Sequence, residues 1–266
     1  MILSIDSISA CYGTKQVLHN LSLQAESGQI VVVVGRNGCS KTTLLKSVIG
    51  DVVLCQGTIT LHTDDGHSLR VDQMSRRIRA HYVAMVEQQL PTAEMRVGEY
   101  VALGRTPYQK ILGLQWSETD IKKVEEVLQL MNICQLKDRQ MQELSGGEMQ
   151  LCAIARMLVQ DTPIVLLDEP MSSLDIVNQM EIASKIKHLK AMGKIVLCVV
   201  HDLNIAFSIA DIVAIMKKGN LIACDTPHSE VLKQALNEAM DTEMNFFDVG
   251  SGMRSIIVPR KWNEIF

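Results

Sequence analysis

Nowhere in this 266-residue chain do more than two Lys or Arg residues follow one another, and 26 basic residues leave a formal net charge of −4. That pattern gives no electrostatic footprint for nucleic acid. No Cys-x-x-Cys pair occurs among the seven cysteines, at 11, 39, 55, 134, 152, 198 and 224, and Cys198 sits among Leu197, Val199 and Val200. They are expected to be small core residues in a reducing compartment, without zinc or disulfide roles. Long apolar runs are also missing. The strongest, "IVVVV" (30–34) and "IVLCVV" (195–200), fall far short of the roughly 20 residues of a membrane span, and no basic start precedes an apolar stretch at the N-terminus. A membrane role therefore requires partner chains. Internal repeats, low-complexity segments and long linkers are absent too. What remains is ordinary globular chemistry, 47% apolar and 21% charged, in a chain long enough for one large domain or a core with one inserted lobe.

The first sixty or so residues alternate apolar and polar side chains, as in "LSLQA" (21–25) and "TITL" (58–61), which predicts antiparallel strands with one buried face. "IVVVV" does not alternate; a β-branched run of this kind is a parallel strand buried on both faces. After a glycine-rich loop, "KTTLLKSVIG" reads as a helix closed by Gly50. Between about 90 and 160 the strand signals fade, and "DIKKVEEVLQLM" (120–131) sets Ile121, Val124, Leu128 and Met131 on one helical stripe. Buried-strand patterns resume at "IVLLDEP" (164–170), "IVLCVVHD" (195–202) and "DIVAIM" (211–216), separated by helical stretches at 176–192 and 203–210. Alternating strands and helices give an α/β fold with a parallel sheet covered on both faces. The tail holds a hairpin at "KKGNL", a helix at 228–239 and a less regular end.

Three segments carry chemistry. "GRNGCSKTT" (35–43) has the form of a phosphate-binding loop between a strand and a helix, where main-chain N–H groups and the helix N-terminus face phosphate oxygens. Gly35, Asn37, Gly38, Cys39, Ser40, Lys41, Thr42 and Thr43 are its candidate binding residues, with Lys41 reaching the β- and γ-phosphates and Thr42 the magnesium ion. Ser40 stands where the pattern has its second glycine. If the backbone there takes glycine angles, a β-carbon costs roughly 1 kcal/mol, while the amide donor survives. Nucleotide use is expected to be weakened or slowed, not abolished. "IVLLDEP" ends in two carboxylates at the edge of the sheet where ligands bind. Asp168 is the candidate magnesium holder, directly or through water, and Glu169 the residue that polarises the attacking water. "LSGGEMQ" (144–150) offers Ser145, Gly146 and Gly147 at the start of another helix, a second anion site.

In this order, the motifs resemble the ATP-binding subunits of ABC transporters, whose signature is Leu-Ser-Gly-Gly-Gln, and the resemblance covers nearly the whole chain. It implies a P-loop NTPase (RecA-like) parallel-sheet core with an N-terminal antiparallel β subdomain and an inserted α-helical lobe. The core would comprise 1–89 and 161–225, the signature lobe 90–160 and the tail 226–266. It implies ATP and Mg2+ as cofactors, Tyr12 stacking on adenine, Gln88 (with Gln89 a rival by register) sensing the γ-phosphate and magnesium, and His201 contacting the γ-phosphate. Asp175 of "SSLD" (172–175) would touch a partner protomer. Two head-to-tail protomers share each ATP, hence a homodimer. Ser40, Glu148 in place of the signature glutamine, and Met149 and Leu151 at commonly polar positions depart from the family pattern.

"EMRVGEYVALGRTPYQ" (94–109) is similar to the Val-x-x-x-Val-x-x-Gly-Arg-x-Pro pattern of ATPases serving importers of iron–siderophore complexes, haem and cobalamin, and "CDTPHSEVL" with "IIVP" (256–259) also resembles that subfamily. The resemblance implies integral membrane permease subunits, an indirect extracytoplasmic solute-binding protein, no nucleic acid, and a peripheral place at the cytoplasmic face of the plasma (inner) membrane. Iron chelates are the first expectation. Haem, cobalamin and oxyanion importers remain open, as does a soluble non-transport ABC ATPase of cofactor assembly. The 42–167 interval has no sustained heptads for the coiled coils of DNA-clamping relatives, and a kinase would leave the signature segment and His201 unexplained.

Overall fold

The protein is described here from a computed structural model, over residues 1–90, 94–109, 116–172, 174–248 and 255–259. The chain opens with β1 (Ile2–Tyr12) and β2 (Lys15–Glu26), whose hairpin shows the predicted alternation: Leu21, Leu23 and Ala25 are buried, Ser22, Gln24 and Glu26 exposed. Next come β3 (Gln29–Val34), α1 (Lys41–Ile49), β4 (Leu54–His62), β5 (Ser68–Arg70), the short α2 (Arg76–Arg79) and β6 (Val83–Val86). A helical stretch follows, with α3 (Val97–Ala102), α4 (Glu118–Leu130) and α5 (Gly146–Val159). The chain then runs through β7 (Ile164–Asp168), α6 (Ile176–Ala191), β8 (Ile195–Val199), α7 (Leu203–Ile209), β9 (Ile212–Lys217), β10 (Asn220–Asp225), α8 (Glu230–Met240), β11 (Met244–Asp248) and β12 (Ser255–Pro259).

Two sheets organise these elements. An antiparallel sheet has the order β2-β1-β4-β5, and a six-stranded sheet runs β10-β9-β3-β8-β7-β6, parallel except for the edge hairpin β9–β10. In β3 the side chains divide between two cores. Ile30, Val32 and Val34 pack with the helical stretch and α6, whereas Val31 and Val33 pack with the antiparallel sheet and with Leu44, Leu45 and Val48 of α1. Burial on both faces is why this strand has no polar positions to alternate with.

One stripe and one pairing differ from expectation. In α4, Ile121 is 48% exposed and Val127 takes its place beside Val124 and Leu128, because the buried face is set by contact with α3 and α5. Cys11 and Cys55 are joined by a disulfide, with Cα atoms 6.3 Å apart. The expectation of no disulfide is corrected: antiparallel pairing that sets Ala10 opposite Leu54 makes neighbours of residues 44 apart in sequence. Cys39, Cys152 and Cys198 are buried as expected, and Cys134 and Cys224 are exposed. Among the described residues no helix is long and apolar enough to cross a membrane.

Candidate nucleotide site

The loop from Gly35 to Ser40 leaves the C-terminal end of β3 and feeds α1. Gly35 is obligatory there: with φ at 151°, a β-carbon would stand 2.3 Å from the Met216 carbonyl oxygen and 2.8 Å from Cys39 Sγ. Gly38 (φ 78°) has open space around it. Cys39 N–H donates to the Arg36 carbonyl, and the Cys39 carbonyl accepts from Gly219 N–H in the β9–β10 turn, so the loop is tied back to the sheet. Ser40 takes φ 79° and ψ 27°, the left-handed conformation, as the residue preceding α1, and its side chain caps nothing. The angle that glycine would supply is therefore required of a serine. Lys41 is buried, its ammonium donating to the Gly35 carbonyl at 2.8 Å and the Arg36 carbonyl at 3.3 Å. Asn37 is exposed at the loop tip, and Thr42 and Thr43 are half-buried in the first turn of α1.

Beside the loop stands the end of β7. Asp168 is 2% exposed, and its Oδ1 is one of two buried side-chain atoms without a hydrogen-bond partner among the described residues. Burial pushes its pKa up, opposed by a hydrogen bond from Thr42, and the neighbouring Glu169 charge pushes the same way as burial. An orphaned carboxylate oxygen beside a threonine hydroxyl is an oxygen donor set that fits a hard divalent cation.

Glu169 turns out of the strand with φ 52°, its N–H bonded to the Val199 carbonyl, while the Ser172 hydroxyl and N–H both hold its carbonyl. A non-glycine residue in that region stores strain, and such strain collects at functional sites. Two side chains from separate strands' ends grip its carboxylate. Gln88 Nε2 donates to Oε2 at 2.6 Å, and His201 Nε2 meets Oε1. Gln89 faces elsewhere, into a groove with Met85, Leu90 and Tyr100.

Ser145 is the N-cap of α5, and no described hydrogen bond or ion pair joins Ser145, Gly146 or Gly147 to the phosphate loop of the same chain. Gly147 packs against Asn178: a β-carbon there would lie 2.6 Å from Asn178 Oδ1. Asn178 Nδ2 in turn donates to Asp175 Oδ2 at 2.9 Å, and Asp175 caps α6. The signature segment and the "SSLD" loop thus form one surface; Ser173 lies outside the described residues. Tyr12 ends β1 with its side chain half exposed, next to the β1–β2 turn. Two residues of the site carry no motif: Asn178, marked only by its place three residues after the capping Asp175, and Asp241, which pairs with Arg36 of the loop at 2.6 Å.

The family model described as ABC transporter matches residues 18–172, which include the loop and both carboxylates. This chain belongs to the ABC transporter family. It is an ATP-binding, ATP-hydrolysing subunit of that family, similar to named transport ATPases across most of its length. The achromobactin transport ATP-binding protein CbrD of Dickeya dadantii is 35% identical, over 85% of this chain and 82% of its own. The hemin import ATP-binding protein HmuV of Pseudoalteromonas translucida is 32% identical, over 88% and 90%. A solved inward-facing ABC transporter described as metal-chelate type superposes with a TM-score of 0.82 over 97% of this chain and 96% of that one, and at 23% identity it supports the fold alone.

Proposed function

We propose that this protein is the ATP-hydrolysing subunit of an importer for iron chelates. It works as a homodimer at the cytoplasmic face of the plasma (inner) membrane, against integral permease subunits fed by an extracytoplasmic solute-binding protein. The observation that carries the ATP-hydrolysing part of this reading is the grip of Gln88 and His201 on Glu169, beside Asp168, Thr42 and the phosphate loop.

In this reading Lys41 leaves its loop carbonyls for the β- and γ-phosphates, and the N–H groups of Gly38 to Thr43 cradle them. Thr42 and Asp168, with Gln88, would hold Mg2+, which when bound would neutralise charge on the phosphate oxygens. Glu169 accepts a proton from water as its oxygen bonds the γ-phosphorus and the bond to the ADP oxygen breaks; His201 orients Glu169 and contacts the γ-phosphoryl group. Tyr12 stacks on adenine. Ser145, Gly146, Gly147 and Asp175 serve the ATP held by the second copy, which accounts for the signature residues having no described bond to their own loop. The groove of about 220 Å³ lined by Ile49, Arg76, Met85, Gln89, Leu90 and Tyr100 receives a permease segment.

The solute class rests on relatives named for achromobactin, hemin, petrobactin and ferric enterobactin. Uptake of radiolabelled ferric chelate, haem and cobalamin in cells with and without the gene tests it. Loss of ferric chelate uptake alone is expected; loss of haem or cobalamin uptake instead would move the assignment to that solute, and no loss at all would favour a soluble ABC ATPase.

A further inference from the structure

The anion site at the start of α5 already contains an anion. Glu148 Oε2 accepts from the backbone N–H of Ser145 at 2.8 Å and from its hydroxyl at 2.9 Å, while Glu148 N–H donates back to the Ser145 hydroxyl oxygen at 3.3 Å. Arg139 Nη1 stands 3.5 Å from the other carboxylate oxygen. The Ser145 N–H and O–H hold the Glu148 carboxyl below its usual range, so it is ionised at neutral pH. Gly147 packs against Asn178, but the space over Gly146 is open: a β-carbon there would meet only Leu174, at 3.8 Å.

We propose that Glu148 is a positioning residue that restrains ATP-driven closure of the two copies, by occupying the Ser145 donors and placing a negative charge where the γ-phosphate of the partner-held ATP must arrive. This rests on the function proposed above, in which Ser145 serves the nucleotide of the second copy. For the phosphate to bind, the Ser145 hydroxyl must turn from a carboxylate to a phosphate oxygen, exchanging one charge-assisted hydrogen bond for another with no net gain in number. Two anions must also share one helix N-terminus, which favours a single one. Arg139 moderates the repulsion by partly neutralising Glu148. A glutamine at 148 would still accept from Ser145 N–H and complete the cap, but without charge. It would release the hydroxyl at little expense.

The test uses the full chain carrying Glu169→Gln, which retains ATP, and measures the ATP-dependent dimer Kd by sedimentation velocity in four forms: no further change, Glu148→Gln, Arg139→Ala, and both. Glu148→Gln is expected to tighten the dimer about tenfold, and Arg139→Ala to loosen it about threefold, an effect that disappears when Glu148 is glutamine. Binding of a fluorescent ATP analogue to the dilute monomer stays unchanged in all four. A dimer no tighter with Glu148→Gln, or Arg139→Ala shifting Kd in the same direction as Glu148→Gln, overturns the proposal, since a role in packing alone would weaken both. If every form binds ATP and none dimerises, the functional reading itself fails and the inference falls with it.

Discussion

Replacing Ser40 with glycine separates what the phosphate loop costs in folding from what it does in binding. Ser40 sits at φ 79° and ψ 27° and its hydroxyl caps nothing in α1. A left-handed L-residue is about 1–2 kcal/mol above its right-handed form, and the extra freedom of glycine in the unfolded chain takes back about 0.4–1 kcal/mol of any gain. Ser40→Gly should therefore stabilise the protein by about 0.5–1 kcal/mol, or about 1–4 °C in Tm for a chain of this size. The angle belongs to the fold, because the Ser40 carbonyl accepts Leu44 N–H in the first turn of α1 while Cys39 is tied to Arg36 and Gly219. The strain then lowers stability and leaves ATP affinity nearly alone. ATP Kd is expected to change less than about threefold, under 0.7 kcal/mol. Ser40→Ala keeps the angle and loses only the idle hydroxyl, so it should match wild type within about 0.5 kcal/mol. Thermal unfolding and calorimetric ATP titration of the three proteins check this. If Ser40→Gly leaves Tm unchanged but binds ATP tenfold more tightly, the β-carbon obstructs phosphate approach and the strain account is wrong.

Glu169→Gln should lower steady-state phosphate release by about 10²-fold or more while ATP binding persists; a rate within a few-fold of wild type would remove Glu169 from the proton-accepting role. Asp168→Asn should abolish magnesium-dependent hydrolysis yet raise the Tm of the nucleotide-free protein by a few degrees, the gain of roughly 0.5–2 kcal/mol typical of relieving a buried unpaired charge. Because burial raises the folded-state pKa of Asp168, its ionisation destabilises the fold increasingly as pH rises above the ordinary value of 3.8. The advantage of Asp168→Asn should therefore grow with pH across that window and vanish below it, which pH-dependent unfolding reads directly. Arg105→Ala should cost about 1–3 kcal/mol, the loss expected when a part-buried pair is broken from one side and its charge-assisted hydrogen bonds go, measured by chemical denaturation; a loss under about 0.5 kcal/mol would put the pair with ordinary surface ion pairs.

Local chemistry was legible and long-range register was not. The β3–loop–α1 unit could be read from the sequence because a β-branched run, two glycines and a lysine each constrain the backbone within a few residues. Gln88 and Gln89 could not be told apart, since the choice depends on where β6 ends; the strand stops at Val86, and Gln88 reaches Glu169. Ile121 fits a 3.6-residue stripe as well as Val127 does, and contact with α3 and α5 decides between them. Nothing in the sequence marks Cys11 as the neighbour of Cys55, or Asp241 as the neighbour of Arg36, because both pairings arise from strands and helices brought together over 44 and 205 residues. The β11–β12 hairpin was likewise missed, as "MNFFD" carries no alternation of its own.

The segment that suggested a chelate importer is largely taken up with building the helical lobe, with Tyr100 also lining the groove at Gln89. Val97 and Val101 are buried, and Gly104 lies where a β-carbon would stand 2.0 Å from the Arg156 carbonyl oxygen of α5. Arg105 pairs with Asp120 of α4 at 2.8 Å, donates to the Val159 carbonyl at the end of α5 at 2.8 Å, and lies over the Tyr108 ring. Tyr108 then donates to the Gln160 carbonyl, and Gln160 Nε2 donates to the carbonyls of Ala80 and Val83, where β6 begins. So Arg105 touches no exposed docking surface; it fixes how the lobe meets the strand that carries Gln88. A pattern shared among ATPases of related importers can therefore record a common geometry of lobe and core and say nothing of the solute.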